Sequence, residues 1–266
     1  MNLPQEVAEI LDVLVPGIQD ALASNIAGIY LRGSLATGDF DPVTSDIDFF
    51  VVTERPVSAA EFDRLAVLHT RLAEHPNRYG DQLEGAYVSR DSARRFRPGE
   101  RHPTVYRGEA FGWREHKSNW VLERRLVREH GMPLLGPDPK TLIDPISADE
   151  VREAVRTVLR DWVEWADDPD DPNWFLPLSH KAYVVETMCR ALYTLDRGEL
   201  PGKPRAVAWA LQTLAEPWRS LVERSQQWRT DNTSDPDVTP EVMRFIYWTA
   251  FGGHTMGAEH RPLVDY

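Results

Sequence analysis

The chain has 266 residues, 42% of them hydrophobic and 27% charged, with nine Trp, nine Phe, eight Tyr and a formal net charge of −12. So many aromatic rings exclude disorder as the main state, the length suffices for one or two domains with real cores, and the negative balance disfavours a polynucleotide partner while suiting a small polycation. One cysteine, Cys189, excludes an internal disulfide and a Cys-rich zinc site, and no apolar run approaches the roughly 20 residues that span a bilayer.

The N-terminal stretch carries Glu6, Glu9 and Asp12 without a basic region, so it does not read as a signal peptide, and a cytoplasmic location is expected. Residues 5–24 follow with the apolar period of a helix. Residues 27–33, AGIYLRG, form a short β-rich run ending in Gly33, and 46–53, DIDFFVVT, form a second. Ser58 with Glu61 makes a capping box for a helix through about residue 74, and QLEGAYVS, 82–89, is a third strand. Residues 90–116, rich in Arg, Pro and Gly, read as irregular, with a helix over 118–131 and an extended exit over 132–139. Three prolines around 140–146 mark a boundary. Beyond it a second capping box, Ser147 with Glu150, opens a helix through about 166, and further helices are expected near 177–196, 204–215, 217–229 and 240–251. The pattern predicts an α+β protein: an α/β domain over 1–140, built on a mixed sheet, and a helical bundle over 141–266.

The chemistry concentrates in residues 31–53. Residues i and i+2 of a strand share a face, so Asp46 and Asp48 set two carboxylates side by side. Like charges that close call for a cation between them, and magnesium favours carboxylates together with substrate phosphates. Gly33 lets backbone approach a ligand closely, and Ser34 offers a hydroxyl to a phosphate oxygen. A phosphate loop one hairpin from a metal-binding pair suits phosphoryl or nucleotidyl transfer.

Gly33-Ser34, Gly38 and Ser45-Asp46-Ile47-Asp48 resemble the signature of the nucleotidyltransferase superfamily related to DNA polymerase β. Arg190, the following Tyr193-Thr194-Leu195, Gly198 and Lys203 are similar to the corresponding stretch of the streptomycin/spectinomycin adenylyltransferases. The resemblance implies that Asp46 and Asp48 ligate two magnesium ions, that Gly33 and Ser34 hold the triphosphate of ATP, and that Glu84 is the catalytic base and touches metal and acceptor. It also implies that Arg190 and Lys203 reach the phosphates across an interdomain cleft, and that the acceptor-binding pair falls on His180 and Tyr183. The family has an Asp at the first of those two positions, and Asp170, Asp171 and Glu186 are the nearby carboxylates. Trp113 and Trp174 are candidates to stack on a sugar, whereas Trp162, Trp165, Trp209 and Trp248 read as packing. The expected activity is transfer of AMP from ATP to a hydroxyl of a small cationic aminoglycoside or aminocyclitol. The alternatives are the same transfer to another small molecule or to a protein hydroxyl, or nucleotide binding without catalysis.

Overall fold

A computed structural model describes residues 3–252. The chain divides into two compact units, the first running to Glu150 and the second from Val151 on.

In the first unit the elements are α1 (Gln5–Leu22), β1 (Gly28–Leu31), α2 (Gly33–Thr37), β2 (Ile47–Thr53), α3 (Ala59–Ala73), β3 (Leu83–Ser89), α4 (Arg90–Arg94), β4 (Arg101–Val105), β5 (Gly112–Glu115), α5 (Asn119–His130) and β6 (Met132–Leu135). They build one mixed sheet of order β5-β4-β3-β2-β1-β6. Only β2 and β3 run parallel, and a parallel pair needs a long crossover, which α3 supplies. Ser58 caps that helix reciprocally with Glu61, as the sequence predicts.

The sheet has two different faces. Ile29, Leu31, Ile47, Phe49, Val51 and Tyr87 pack with Ile10, Leu14 and Ile18 of α1 and Leu65, Leu68 and Leu72 of α3 into the main core. Alternation sends Asp48 and Phe50 to the opposite face, where Phe50 meets Trp120 of α5 with ring centroids 6.3 Å apart.

Residues 90–116, expected to be irregular, instead contain α4, β4 and β5, and the first four residues of the extended exit expected over 132–139 form β6, paired with β1. Proline hides both from a strand reading. Pro133 sits on an edge strand, where a missing N–H is tolerated, and β4 pairs with β3 only at Thr104 and Val105, leaving Pro103 beyond that ladder.

The second unit is helical: α6 (Ala148–Ala166, whose first turn precedes the division), α7 (Leu178–Arg197), α8 (Lys203–Thr213), α9 (Trp218–Trp228) and α10 (Thr239–Phe251). α7 is its centre, burying Ala182, Val185, Met188, Cys189 and Leu192 and packing against α8, α9 and α10. Arg152 ties α6 to the end of α7 by donating from Nε to the Leu195 carbonyl at 3.1 Å. Burial pushes the Cys189 thiol well above its usual pKa, as befits a small packing residue. No helix among the described residues is long and apolar enough to cross a membrane.

Candidate active site

Strand register assembles the acids. Asp48 of β2 stands directly opposite Glu84 of β3, so two carboxylates from neighbouring strands share a face. Asp46, one residue before β2, joins them through its i, i+2 relation to Asp48. Burial, and then the charges of Asp46 and Asp48, push the Glu84 carboxyl up to about 7. An acid raised in this way is poised to exchange a proton near neutral pH.

Periodicity alone does not disclose the cation already present. Arg32 follows β1 on the carboxylate face, and its side chain is 7% exposed. Its Nη1 lies 2.9 Å from Asp48 Oδ1 and 2.6 Å from Glu123 Oε2 of α5. Its backbone N–H donates to the Asp48 carbonyl at 3.0 Å. Tyr106, just past β4, is a further neighbour: burial and the charge of Glu84 both raise its phenol.

Gly33 and Ser34 open α2 beside this group. Gly33 has φ +60°, and a Cβ there would overlap the Asp48 carboxylate, so only glycine serves. The Ser34 hydroxyl is buried without a hydrogen-bond partner in the structure, a donor ready for an oxygen from outside the chain. Among the described residues no three His, Cys, Asp or Glu stand in the arrangement of a metal cage, and one oxygen of Asp48 faces Arg32 instead. The site nonetheless fits magnesium with a triphosphate: Asp46, Asp48 and Glu84 repel one another, hard oxygen donors suit that ion, and Ser34 has an unmet bond.

In the second unit α7 presents His180, Tyr183 and Arg190 at spacings of three and seven residues, one stripe of a helix. Lys203, at the start of α8, holds its ammonium 5.0 Å from the Tyr183 ring centroid. Arg190 Nε donates to the Pro201 carbonyl at 3.2 Å, fixing the turn that carries Lys203. The predicted pair Arg190 and Lys203 thus lies close together within this unit.

Beside that stripe is a cavity of about 350 Å³ lined by Asp161, Trp162, Trp165, Asn173 and His180. Burial lowers the His180 pKa, as does the charge of Lys181, so its ring is neutral at pH 7. Trp174 does not offer a ring for a sugar: it is 2% exposed and stacks on Trp165 at 3.7 Å. Trp162 and Trp165, expected to pack, also line the cavity, Trp165 while stacked on Trp174. Trp113 is on β5, stacked against Phe62 of α3 at 5.5 Å, on the sheet face opposite the carboxylates. Glu186 is buried against Arg229 at 3.1 Å, so it does not compensate for the acidic residue absent at position 180.

A mixed sheet carrying an acid pair at the start of one strand, a third acid in register on the next and a glycine-serine turn beside them defines a nucleotidyltransferase. Residues 15–95 match the nucleotidyltransferase domain, and residues 141–247 match the C-terminal domain of aminoglycoside adenylyltransferases. The chain thus carries a nucleotidyltransferase domain followed by a domain matching the C-terminal domain of aminoglycoside adenylyltransferases. Spectinomycin 9-adenylyltransferase of Staphylococcus aureus is 22% identical over 235 residues, which cover 84% of this chain and 83% of that protein. Aminoglycoside (3'') (9) adenylyltransferase of Shigella flexneri is 23% identical over 239 residues, covering 84% and 85%. The solved spectinomycin adenyltransferase from Enterococcus faecialis, crystallised with ATP and spectinomycin, superposes with a TM-score of 0.73 at 16% identity, covering 91% of this chain and 98% of that one.

Proposed function

We propose that this nucleotidyltransferase moves AMP from ATP to a hydroxyl of a small cationic aminoglycoside or aminocyclitol, releasing pyrophosphate. The observation that carries the reading is Glu84, in register with Asp48 and raised to about 7. Its carboxylate takes the proton of the acceptor hydroxyl. The freed oxygen forms a bond to the α-phosphorus, the bond from that phosphorus to the bridging oxygen breaks, and pyrophosphate leaves with the electron pair. Ser34 donates to a phosphate oxygen, and Gly33 keeps room for it. Arg190 and Lys203 supply positive charge to the phosphates, which suits a reaction governed by positioning and electrostatics. Asp46 and Asp48, with Glu84, are the residues to hold two magnesium ions, whose chemistry when bound is to neutralise phosphate charge. His180 and Tyr183 contact the acceptor.

The test is magnesium-dependent pyrophosphate release from ATP with spectinomycin, streptomycin and other aminoglycosides, with products examined by mass spectrometry. The expected result is an added AMP on at least one compound and loss of turnover in Asp46→Asn and Asp48→Asn. Transfer at the wild-type rate by either variant would sink the assignment of those carboxylates. ATP binding with no product across the panel would move the acceptor to another hydroxyl compound, the second reading, which the imidazole at position 180 favours.

A further inference from the structure

The cavity in the second unit has walls of unequal character. Trp162 and Trp165 come from one side of α6, their rings nearly perpendicular with centroids 5.4 Å apart. The His180 ring meets Trp165 edge-on at 6.1 Å, and the Tyr183 ring stands 6.4 Å from Trp162. The Trp162, Trp165 and His180 rings around a space of about 350 Å³ suit the flat apolar faces of a cyclitol or sugar, and indole faces also attract cations.

Charges of both signs lie near it: the Lys203 ammonium is 5.0 Å from the Tyr183 ring centroid, and the carboxylates are Asp171 and Asp161. His180 is neutral at pH 7, since burial and Lys181 lower its pKa. Lys181 itself is turned away, its ammonium donating to the Trp174 and Leu176 carbonyls at 2.9 and 3.1 Å. Asp171 lies within electrostatic reach of His180, but one of its oxygens accepts the Asn173 N–H at 2.8 Å as the cap of a short turn. Asp161 is the carboxylate in the lining itself, one residue before Trp162 on α6.

We propose that Asp161 is the counterion of the acceptor, so that this cavity binds the ammonium group of a hydroxylated cyclic amine between the α6 indoles and His180. The proposal rests on the cationic acceptor of the function proposed above, and it makes Asp161 a specificity-determining residue. The anion of the acceptor site then belongs to α6, one helix away from the imidazole on α7. Neutral polyols of the same size meet the rings but not the charge, so they bind weakly.

Equilibrium titration of the full chain, followed by tryptophan fluorescence, tests it with spectinomycin and streptomycin as cations and myo-inositol as the neutral control. The wild type is expected to bind at least one cation more tightly than myo-inositol. Asp161→Asn is expected to weaken that binding about tenfold and Asp161→Glu to restore it to within about threefold. Magnesium-ATP affinity should be the same in all three proteins, which a folding defect would not allow. Equal cation binding by Asp161→Asn, or no preference of the wild type for a cation, overturns the proposal. Pyrophosphate release with the same compounds separates it from the wider reading. Cation binding that depends on Asp161 without transfer sinks the function and keeps the site. Transfer with an unchanged KM in Asp161→Asn keeps the function and sinks the site.

Discussion

At Arg32 the first unit places a full positive charge where burial opposes it, yet the charges of Asp48, Glu123, Glu84 and Asp46 hold its guanidinium well above the ordinary value. Removing one member of such a group leaves the others buried and unbalanced, at a cost of about 3 kcal/mol. Arg32→Met is therefore expected to lower stability by roughly that amount, and magnesium should raise the Tm of the variant more than that of the wild type, because a metal ion can supply the lost charge. Differential scanning calorimetry with and without magnesium chloride checks it, and identical magnesium shifts in both proteins would remove Arg32 from any balance with the metal. Asp46 and Asp48 are legible in the sequence through the strand period and Gly33 and Ser34 through the turn that follows β1, whereas Glu84 is reached through the family resemblance. Arg32 is adjacent to that motif, but its meaning depends on Glu123, 91 residues away, and no local pattern encodes such a partner. Asp161 and the α6 indoles escape notice for a related reason: a helix period says which side is apolar, not that a cavity opens beside it.

α5 covers the carboxylate face of the sheet through a ring cluster. His116 stacks on Trp120 with centroids 3.6 Å apart and 1° between planes, and His102 lies 4.5 Å from His116. His116 Nε2 shares a hydrogen bond with Thr104 Oγ1 at 3.0 Å. Burial is the main cause that holds His116 down to about 2 and His102 to about 4. Both rings therefore stay neutral in the folded chain while the unfolded chain takes up protons below about 6.5. The unfolded state then binds more protons, so stability falls as pH drops below that value, by about 1.4 kcal/mol per pH unit for each histidine. His116→Phe is expected to flatten the loss between pH 6.5 and 5 by one histidine's share. Its cost at pH 8 should be small, since Thr104 Oγ1 still donates to the His102 carbonyl at 3.0 Å. Urea denaturation across that range measures the slope, and parallel curves for variant and wild type would assign the acid sensitivity elsewhere, with buried His69, also held down to about 3, the next candidate. The long elements α1, α3 and α7 follow their apolar period, and α3 adds the Ser58–Glu61 capping box, all of which local chemistry decides. β4, β5 and β6 have four or five residues each and two of them contain proline, so their strand state comes from neighbours in the sheet and not from their own sequence.

Over the whole molecule the net charge of −12 acts with opposite sign on the two substrates of the proposed reaction. A polycationic acceptor is drawn in and a nucleotide triphosphate is repelled, and salt weakens both effects because the Debye length falls from about 14 Å at 0.05 M to about 4 Å at 0.5 M. Raising potassium chloride over that range is therefore expected to lower kcat/KM for the acceptor by about threefold or more, while the KM for magnesium-ATP stays level or falls. Steady-state kinetics with each substrate varied at saturation of the other reads the two slopes separately. The local and global parts of the acceptor effect also separate. Asp161→Asn removes one charge of the cavity wall but leaves the rest of the acidic surface, so its acceptor KM should rise at every salt concentration while most of the salt slope persists. A slope that vanished with Asp161 would place the whole attraction in the cavity, and equal salt slopes for acceptor and nucleotide would show that net charge steers neither.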